Sequence, residues 1–445
     1  MSSREGSLEA PTRHPLEWRS PEFRDEKLLF KELERVFDIC HGCRRCFSLC
    51  NSFPTLFDAV DASPNGEVES VDKKVYWDVV DHCYLCDMCY MTKCPYVPPH
   101  PWNVDFPHLM LRAKAFKFQT QPVRMRDRIL SATDTVGTLA GIPVVAEIVN
   151  AVNKTAAGRK LLDKALGVHP QAPIPEYHSK SYRKQHAAAA HPALEAKPTA
   201  DTKGRVVLFA TCYGNRNEPD LGKDLAAIFE HNGIAVTIAR SEHCCGMPKL
   251  ELGDLEGVAQ LKERNIPELA RLVDAGWDIV TPIPSCTLMF KQELPLMFPD
   301  DADVKLIADA MFDPFEYIAL RHRDGLLKTD FKNGLGKVSY HVPCHLRVQN
   351  MGLRTQEVLK LVPGTEVTTV ERCSGHDGTW GVKKEFFADS MKIGRPVFKA
   401  MAGTSPDYIS SDCPIAARHI QQGIGAGSEA LKDHPLTLIR IAYGL

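Results

Sequence analysis

Residues 40–50 read CHGCRRCFSLC, which places four cysteines at positions 40, 43, 46 and 50 of one short run. A second run, CYLCDMC at residues 83–89, repeats the i, i+3, i+6 spacing and is followed by Cys94 and Pro95. This C-x₂-C-x₂-C-x₃-C pattern is typical of loops that hold a four-iron, four-sulfur cube, because three thiolates of one loop reach three of its corners. The two runs therefore predict two 4Fe-4S clusters.

The fourth ligand of each cluster is expected to come from the other run, as it does in two-cluster ferredoxins. One cluster is then predicted to bind Cys40, Cys43, Cys46 and Cys94, and the other Cys83, Cys86, Cys89 and Cys50. Four residues rather than three separate Cys89 from Cys94, so the second run has an additional residue to absorb. Zinc is the alternative, but structural zinc usually takes two separated pairs of cysteines, which two dense runs fit poorly.

The bulk composition is that of a globular protein, with 445 residues, 44% of them hydrophobic and 25% charged. This length corresponds to about three domains. The net charge of -2 provides no basic surface for nucleic acid. The first residues, MSSRE, lack the apolar segment of a secretory signal, and fifteen cysteines at ligand-like spacing suit a reducing compartment. We therefore expect a cytoplasmic protein that does not bind nucleic acid.

A membrane-spanning helix is not expected, because no uninterrupted apolar run reaches the ~18 to 20 residues that one needs. The nearest is 136–152, which contains Pro143 and Glu147 and follows a basic stretch at 112–128. A basic segment followed by an apolar one can rest on an anionic membrane surface. The sequence favours a pair of connecting helices instead, because Pro143 interrupts any single amphipathic helix.

The periodicity of the apolar residues divides the chain into six parts. A helix predicted over 26–39 leads into the first cysteine run, and its apolar stripe consists of Leu28, Leu29, Leu33, Val36 and Phe37. Similar helical patterns around both runs predict an α-helical ferredoxin module. The proline-rich, aperiodic stretch 168–203 is interpreted as an exposed linker with solvated histidines. The predicted parts are a tail (1–25), the ferredoxin module (26–110), connecting helices (111–167), the linker (168–203) and two α/β domains (204–330 and 331–445).

The two α/β domains are predicted from an internal repeat. Residues 204–212 and 336–344 are both short β-prone runs that end on a cysteine, at an offset of 132. Cys244-Cys245-Gly246 then matches Cys373-Ser374-Gly375, and the strand that ends near Cys286 matches the one near Cys413. Each copy is therefore a small strand–helix–strand unit, duplicated in tandem.

In open parallel sheets, ligands bind at the carboxyl ends of the strands. The cysteines that follow the predicted strands are expected to converge there. One candidate metal site consists of Cys212, Cys244, Cys245 and Cys286, and a weaker one of Cys344, Cys373 and Cys413. Four thiolates suit either a cluster or zinc. The three thiols of the second site either bind metal weakly, with His341, His345 and His376 nearby in sequence, or only pack in the core.

Two 4Fe-4S runs followed by two cysteine-rich CCG domains resemble the C subunits of anaerobic glycerol-3-phosphate dehydrogenases. The same plan is similar to fused C and B subunits of heterodisulfide reductases and to iron–sulfur subunits of glycolate and lactate oxidation complexes. The resemblance implies non-cubane iron–sulfur clusters in CCG domains, each held by five cysteines. This chain departs from that pattern at three positions, where cysteines are replaced by Met289, Ser374 and Ala416.

The expected function is that of a non-catalytic electron-transfer component of an oxidoreductase complex. The segment 423–428, GIGAGS, follows a helical stretch rather than a strand and is predicted to be a loop, not a dinucleotide site. Hydride chemistry must therefore come from a partner, such as a dehydrogenase. The resemblance implies that electrons leave to a quinone at the membrane face or to a second protein. The alternatives are disulfide reduction at Cys244-Cys245, as in heterodisulfide reductases, and a metal-stabilised scaffold role.

Overall fold

The first part of the molecule is helical. The computed structural model describes residues 10–92, 94–186, 194–425 and 430–445. Up to residue 186 the described chain forms helices and loops, with a 3₁₀ turn at Val68–Ser70. The helices are α1 (Pro21–Arg24), α2 (Glu26–Cys43), α3 (Ser52–Asp61), α4 (Lys73–His82), α5 (Met88–Thr92), α6 (Phe106–Thr120), α7 (Met125–Ser131), α8 (Thr133–Ala140), α9 (Val145–Lys154), α10 (Ala156–Leu166) and α11 (Tyr182–His186).

The next part of the chain is the first α/β unit, built on a parallel sheet in the order β2-β1-β3-β4. Its strands are β1 (Arg205–Leu208), β2 (Ala235–Thr237), β3 (Asp278–Val280) and β4 (Met311–Phe312). Its helices are α12 (Cys212–Arg216), α13 (Pro219–His231), α14 (Met247–Leu252), α15 (Leu255–Asp274), α16 (Pro284–Leu288), α17 (Leu294–Met297), α18 (Ala302–Ala310) and α19 (Pro314–Arg323), with a π-helical turn at Met289–Glu293.

The second α/β unit has the same topology, with the strand order β6-β5-β7-β8 and parallel pairing. The predicted duplication is therefore confirmed. The fourth strand of each sheet is only two residues long, too short to leave a periodic signal in the sequence. The elements are β5 (Gly336–His341), α20 (Cys344–Arg347), α21 (Arg354–Leu359), β6 (Thr365–Val370), α22 (Phe387–Ala402), β7 (Tyr408–Ser411), α23 (Pro414–Ile424), β8 (Leu431–Lys432) and α24 (Pro435–Tyr443).

The first sheet separates two hydrophobic cores, because successive side chains of a strand point to opposite faces. Val207 and Phe209 belong to a core shared with the helical part. Val206 and Leu208 belong to a second core that also contains Tyr340 of the second unit. The first unit is thus packed between the helical part on one side and its own duplicate on the other.

Helix α2 agrees with the predicted helix and extends four residues further, to Cys43. The Asp25 carboxylate accepts a hydrogen bond from the Leu28 N–H and caps the helix. The predicted stripe is buried, except that Leu28, included in it by spacing, is 43% exposed. The extension brings the first two cysteines of the run onto a rigid helical turn.

The predicted N-terminal tail is not free in its described part, residues 10–25. Trp18 is 2% exposed, and its indole Nε1–H donates to the Met297 carbonyl at 3.0 Å. The Leu16 N–H donates to the Leu296 carbonyl at 2.8 Å. The polar composition of this segment did not indicate that it packs against the first α/β unit, because two apolar residues, Leu16 and Trp18, suffice to anchor it. Residues 1–9 lie outside the described part of the chain.

The stretch 168–203 is also less exposed than its composition predicts. Val168 is 4% exposed and forms an isolated antiparallel bridge with Lys383. The prediction of solvated histidines is wrong for His186, which is buried with its Nδ1 at 2.7 Å from the Tyr182 hydroxyl. The alanines and His191 of the predicted linker fall at 187–193, outside the described residues, as do 426–429 of the predicted glycine loop.

Within the described ranges, no single helix has both the length and the apolar composition needed to cross a membrane. Only α8 and α9 taken together reach them, and the two helices are bent by 101° at their junction.

Candidate cluster-binding sites

The first predicted group of thiols lies where α2 ends. Cys40 and Cys43 occupy its last turn, and Arg44, in a left-handed conformation, ends the helix. Burial, followed by the charges of Cys94, Cys46 and Cys43, raises the pKa of the Cys40 thiol well above its usual range. All four predicted ligands line one small cavity. The structure therefore brings this group together as the exchanged assignment requires.

The second predicted group meets at Cys50, just before α3. Burial raises the pKa of Cys83 to about 12, and Cys50 contributes to that increase. Burial also raises the pKa of Cys86 and of Cys89, and both thiols feel the charge of Cys50 as well. The additional residue before Cys94 is absorbed by a wide turn, in which the Cys94 N–H donates to the Cys89 carbonyl at 2.9 Å. Cys50 is thus the shared neighbour of the whole second run.

These raised pKa values indicate that the thiols need a positive charge beside them in order to ionise. Buried thiolates that crowd one another are unstable as a set of free anions, so the thiols by themselves favour the protonated form. A bound cationic centre reverses this balance, because a coordinating thiol is deprotonated outright. Both groups therefore fit a multivalent iron centre.

Arg13 is a residue of this region that the sequence did not reveal. Its guanidinium forms a bidentate pair with Asp87 at 2.6 and 3.1 Å and a second one with Asp105 at 2.9 and 3.1 Å. It also lies 3.4 Å from Glu293 of the first α/β unit. Asp87, between Cys86 and Cys89, has a φ of +59°, a strained conformation for a non-glycine residue. Arg13 thus holds the second cysteine loop in shape.

The first α/β unit places its four cysteines at the carboxyl edge of its sheet, as predicted. Cys212 begins α12 directly after β1, and Cys286 lies in α16 after β3. The four thiols adjoin one another in the order Cys212–Cys244–Cys245–Cys286. Hydrogen bonds from Cys212, then from Cys245, lower the pKa of Cys244 well below its usual range. This edge is therefore built to hold a thiolate.

Helix α8 closes the same edge from the other side. The Thr133 hydroxyl is buried beside Cys212 and Cys244. The Asp134 carboxylate accepts a hydrogen bond from the Cys244 N–H at 2.8 Å. The connecting helices thus supply two residues to the site, which sequence reasoning missed because they lie more than 75 residues before Cys212.

Removing the Asp134 contact is expected to loosen α8 from the first α/β unit. Asp134→Ala leaves the Cys244 N–H without its acceptor, at a cost of about 1 to 2 kcal/mol. The thermal unfolding midpoint measures this loss. Asp134→Asn is the matched control, because its amide oxygen still accepts the bond; equal destabilisation by both variants would contradict the assignment.

The second α/β unit brings Cys344, Cys373 and Cys413 together with a carboxylate, Asp377. Burial raises the pKa of Cys344 most, followed by Cys373, Asp377 and Cys413. Asp377 also contributes to the raised pKa of Cys373 and of Cys413. Asp377 is 6% exposed, and burial raises its pKa to about 7. A carboxylate is therefore the common neighbour of the three thiols.

Two of the three histidines expected near this site serve other contacts, and the buried Nε2 of the third, His376, has no hydrogen-bond partner among the described residues. His341 uses both ring nitrogens, with Nδ1 at 3.0 Å from the Ser411 hydroxyl and Nε2 at 2.9 Å from the Arg372 carbonyl. The Nδ1 of His345 lies 2.8 Å from the Ser285 hydroxyl of the first unit. Proximity in sequence to Cys344 and Cys373 was thus a poor guide to the groups that face the thiols.

The second unit's thiols also adjoin the two predicted 4Fe-4S groups of thiols, which we call the ferredoxin-type groups. Cys344, Cys373 and Cys50 all contribute, after burial, to the raised pKa of Cys86. The Tyr84 hydroxyl lies 3.2 Å from the Cys373 sulfur, across 289 residues of sequence. Three sets of cysteines therefore follow one another through the buried centre of the molecule: the first group, which contains Cys40, the second group, which contains Cys86, and the set that contains Cys373.

Single metal ions fit these groups less well. In the described part of the chain, no group of three or more His, Cys, Asp or Glu side chains is arranged around one metal-ion position. Structural zinc draws four ligands to within about 2.3 Å of one point.

Comparison with known proteins agrees with this chemistry. A model of the cysteine-rich domain family CCG matches residues 206–291 and again 338–420. Lactate utilization protein A of Bacillus cytotoxicus is 30% identical over 220 residues, which cover 47% of this chain and 87% of that protein. The chain belongs to the CCG-domain family of iron–sulfur proteins. Its expected resemblance to this family is confirmed.

Other relatives of this CCG-domain protein are components of redox enzymes. The C subunit of anaerobic glycerol-3-phosphate dehydrogenase from Escherichia coli (strain K12) is 29% identical over 347 residues, 76% of this chain and 82% of that protein. The B subunit of fumarate reductase (CoM/CoB) from Methanothermobacter marburgensis is 27% identical over 248 residues, 54% of this chain and 46% of that protein. These two relatives are thus named as subunits of a dehydrogenase and of a reductase.

The CCG-domain protein fills the missing cysteine positions with packing side chains. Met289 is 0% exposed, and its Cε lies 3.5 Å from the position that a Cβ on Gly246 would take. Ala416 is 3% exposed within α23. Apolar atoms therefore occupy space beside each site where further thiols are absent, which limits the ligands available to a bound group.

Proposed function

We propose that this chain is the electron-transfer component of an oxidoreductase complex. It takes electrons from a dehydrogenase-type partner and passes them to a quinone or to a protein acceptor, at the cytoplasmic face of a membrane. The observation that carries the proposal is the 3.2 Å contact between Tyr84, inside the second cysteine run, and Cys373 of the second CCG domain. This contact joins the helical part that carries the cysteine runs, where electrons are proposed to enter, to the CCG domains, through which they are proposed to leave.

Two sets of four thiols are proposed to hold two 4Fe-4S clusters, in an α-helical ferredoxin module. They are Cys40, Cys43, Cys46 and Cys94, and Cys83, Cys86, Cys89 and Cys50. Bound clusters supply one-electron carriers, with potentials that depend on hydrogen bonds, charge and burial. The chain tunes them through its own groups. Burial raises the pKa of Cys50 to about 11, and hydrogen bonds from Ser52 and from the Phe53 N–H oppose that increase.

The partner is proposed to dock at the first cysteine run. Arg44, Arg45 and Phe47 are exposed there, and Phe47 is 56% exposed. An aromatic side chain flanked by arginines has the composition of an interface anchor, because Trp, Tyr, Phe and Arg are enriched at protein contacts. Of these three residues, Arg45 also lines the cavity formed by the first group of thiols.

The CCG sites are proposed to extend the path. Cys344, Cys373 and Cys413, with the Asp377 carboxylate, offer four anionic donors in the second domain. Cys212, Cys244, Cys245 and Cys286 offer four thiols in the first, for a further cluster or for zinc. The Tyr84 hydroxyl lies within hydrogen-bonding distance of the Cys373 sulfur, and hydrogen bonds to cluster sulfurs help to set the potential of a bound iron–sulfur group.

A second candidate function is thiol or disulfide chemistry at Cys244-Cys245. The lowered pKa of Cys244, caused by hydrogen bonds from Cys212 and Cys245, favours this possibility, since the thiolate is the reactive form. A disulfide-reduction assay with a chemical electron donor separates the two functions. Turnover that Cys244→Ser abolishes, with cluster content unchanged, would support catalysis at this site rather than relay alone.

Metal analysis of anaerobically purified protein tests the proposed function. About eight irons with matching labile sulfide are expected for two cubes, and about twelve if the first CCG site holds a third. Electron paramagnetic resonance of the reduced protein then identifies the cluster types. Zinc without iron would contradict the relay and support a metal-stabilised scaffold role.

Cys43→Ser is expected to abolish electron throughput from the partner to the acceptor, because it removes one corner ligand of the proposed entry cluster. The CCG domains should remain folded, since Cys43 lies outside their two sheets. Dye reduction with the partner enzyme measures throughput, and circular dichroism measures folding. Unchanged throughput in a folded Cys43→Ser protein would exclude this cluster from the path.

A further inference from the structure

The connecting helices carry an apolar patch on the outside of the molecule. It consists of Leu139, Ile142, Val144, Val145, Ile148 and Val152, which we call the α8–α9 patch. Val144 is 67% exposed, Leu139 60% and Ile148 57%. These six residues lie within fourteen positions of one another, whereas isolated exposed apolar side chains are common and need no explanation. A contiguous patch indicates an interaction surface.

Helix α9 exposes apolar side chains and buries small or polar ones, which is the opposite of the pattern in a helix at a water-exposed surface. Its inward side consists of small or polar groups: Ala146 is 1% exposed, and the Asn150 side chain exchanges two hydrogen bonds with the Tyr177 backbone at 2.8 and 2.9 Å. Its outward side carries Ile148 and Val152. A helix that faces water turns its apolar stripe to the core. This one turns its apolar stripe away from the core, although the Asn150 bonds fix its orientation.

The tip of the patch is held in a defined shape. Val144, between the two helices, has a φ of +72°, a conformation that β-branched residues rarely adopt. At the other end of α8, Asp134 accepts the Cys244 N–H and so fastens the helix to the first CCG site. Strain of this size persists only where surrounding contacts enforce it. The patch is therefore a built feature of the fold.

The charges around the patch are mainly positive. Between residues 124 and 164 the exposed cations are Arg124, Arg128, Lys154, Lys160 and Lys164, and Glu147 is the one exposed acid in this fully described range. Two of these cations pair with acids from elsewhere in the chain, Arg124 with Glu385 and Lys154 with Glu176. The whole chain, in contrast, has a net charge of -2. An apolar face with basic residues beside it has the composition of helices that bind anionic membrane surfaces.

A lipid surface suits the patch better than a protein does. The six side chains are all aliphatic, whereas the centres of protein interfaces are enriched in Trp, Tyr and Arg. The 101° bend between α8 and α9 prevents them from crossing a bilayer as one span and suits a shallow wedge in its surface.

We propose that the α8–α9 patch inserts into the interfacial layer of an anionic phospholipid bilayer, with the basic residues beside it contacting the lipid headgroups. Because Thr133 and Leu139 are six residues apart on α8, the lipid surface then lies about 10 Å from the Cys212–Cys244 edge. This proposal rests on the proposed function, which places the chain at the cytoplasmic face of a membrane. It adds that the first CCG site is the exit toward an acceptor dissolved in the membrane.

Vesicle flotation tests the insertion with the full-length protein. Wild type is expected to float with vesicles of phosphatidylcholine and phosphatidylglycerol at low salt, and to float less with pure phosphatidylcholine. The double variant Leu139→Glu/Ile148→Glu is expected to bind at least tenfold more weakly, because it places two charges in the buried face. Lys160→Glu/Lys164→Glu is expected to weaken binding only to the anionic vesicles.

Leu28→Glu is the matched control, since Leu28 is also an exposed leucine on a helix, at 43%, and should not affect flotation. Unchanged flotation of the Leu139→Glu/Ile148→Glu protein would overturn the proposal. So would a wild type that never floats and whose binding to a partner protein the double variant abolishes, which would make the patch a protein interface. Iron content and circular dichroism of each variant are measured in parallel, so failure of the electron-relay function is distinguished from failure of membrane binding.

Discussion

Replacing Cys94 with serine is expected to remove about four irons and the same spectroscopic signal that Cys43→Ser removes. Cys94 belongs to the second run by sequence, yet it lines one cavity with Cys40, Cys43 and Cys46. The reciprocal variant, Cys50→Ser, should match Cys86→Ser instead, because Cys50 contributes to the raised pKa of Cys83, Cys86 and Cys89. The effect is large because each cube loses one of its four protein ligands.

The comparison needs the four single variants and one control. Cys413→Ser serves as the control, because Cys413 lies in the second CCG domain and leaves both ferredoxin-type groups complete. Electron paramagnetic resonance of the reduced proteins, with iron and sulfide analysis, assigns each loss to one cluster. If Cys94→Ser matched Cys86→Ser, each run would close its own cluster and the exchange of ligands would be wrong.

Replacing Arg13 with alanine is expected to cost about 3 to 5 kcal/mol, since it leaves buried carboxylates without a counter-ion. The Arg13 side chain is 11% exposed, and those of Asp87 and Glu293 are each 6% exposed. The lost pairs would release the strained second cysteine loop as well as the N-terminal segment. The measurement is the apparent thermal midpoint, together with the rate at which the iron absorbance bleaches.

The matched control for Arg13 is Arg24→Ala in the same N-terminal segment. Arg24 pairs with Glu256 at 3.4 Å, with side chains 44% and 58% exposed, and exposed pairs contribute about 0 to 1 kcal/mol. Equal midpoints for Arg13→Ala and wild type would contradict the clamping role of Arg13.

The ion pairs of Arg13 predict that the protein loses stability in acid. Burial alone would raise the pKa of Asp105, but the Arg13 guanidinium overrides it and lowers that pKa to about 2. The folded-state pKa is thus below the unfolded value of about 3.9. The stabilisation is complete above that unfolded value and is lost as the pH falls toward 2. In Arg13→Ala burial acts on Asp105 without this counter-ion, so the difference in stability between wild type and the variant should shrink as the pH falls below that unfolded value, which a pH titration of both unfolding midpoints measures.

Local spacing carries much of this fold. Three cysteines at i, i+3 and i+6 are recognisable from their spacing alone, so 40–50 and 83–89 predicted 4Fe-4S ligands without a structure. The repeat of β1 in β5 likewise predicted two sheets, because short buried strands leave a clear apolar signal. Helix α2 followed from its stripe, apart from Leu28. These are contacts between near neighbours or copies, for which composition and period are sufficient.

The spatial arrangement of the elements depended on contacts between residues far apart in sequence. Arg13 meets Asp87 and Glu293, and Tyr84 meets Cys373 across 289 residues, which no local pattern encodes. The sequence by itself determined which residues form the cysteine loops and the two sheets. Only the tertiary structure decided that the second CCG domain adjoins the ferredoxin-type groups and that α9 turns its apolar side outward. The reason is physical: periodicity reveals that a helix has an apolar face, whereas packing decides where that face points.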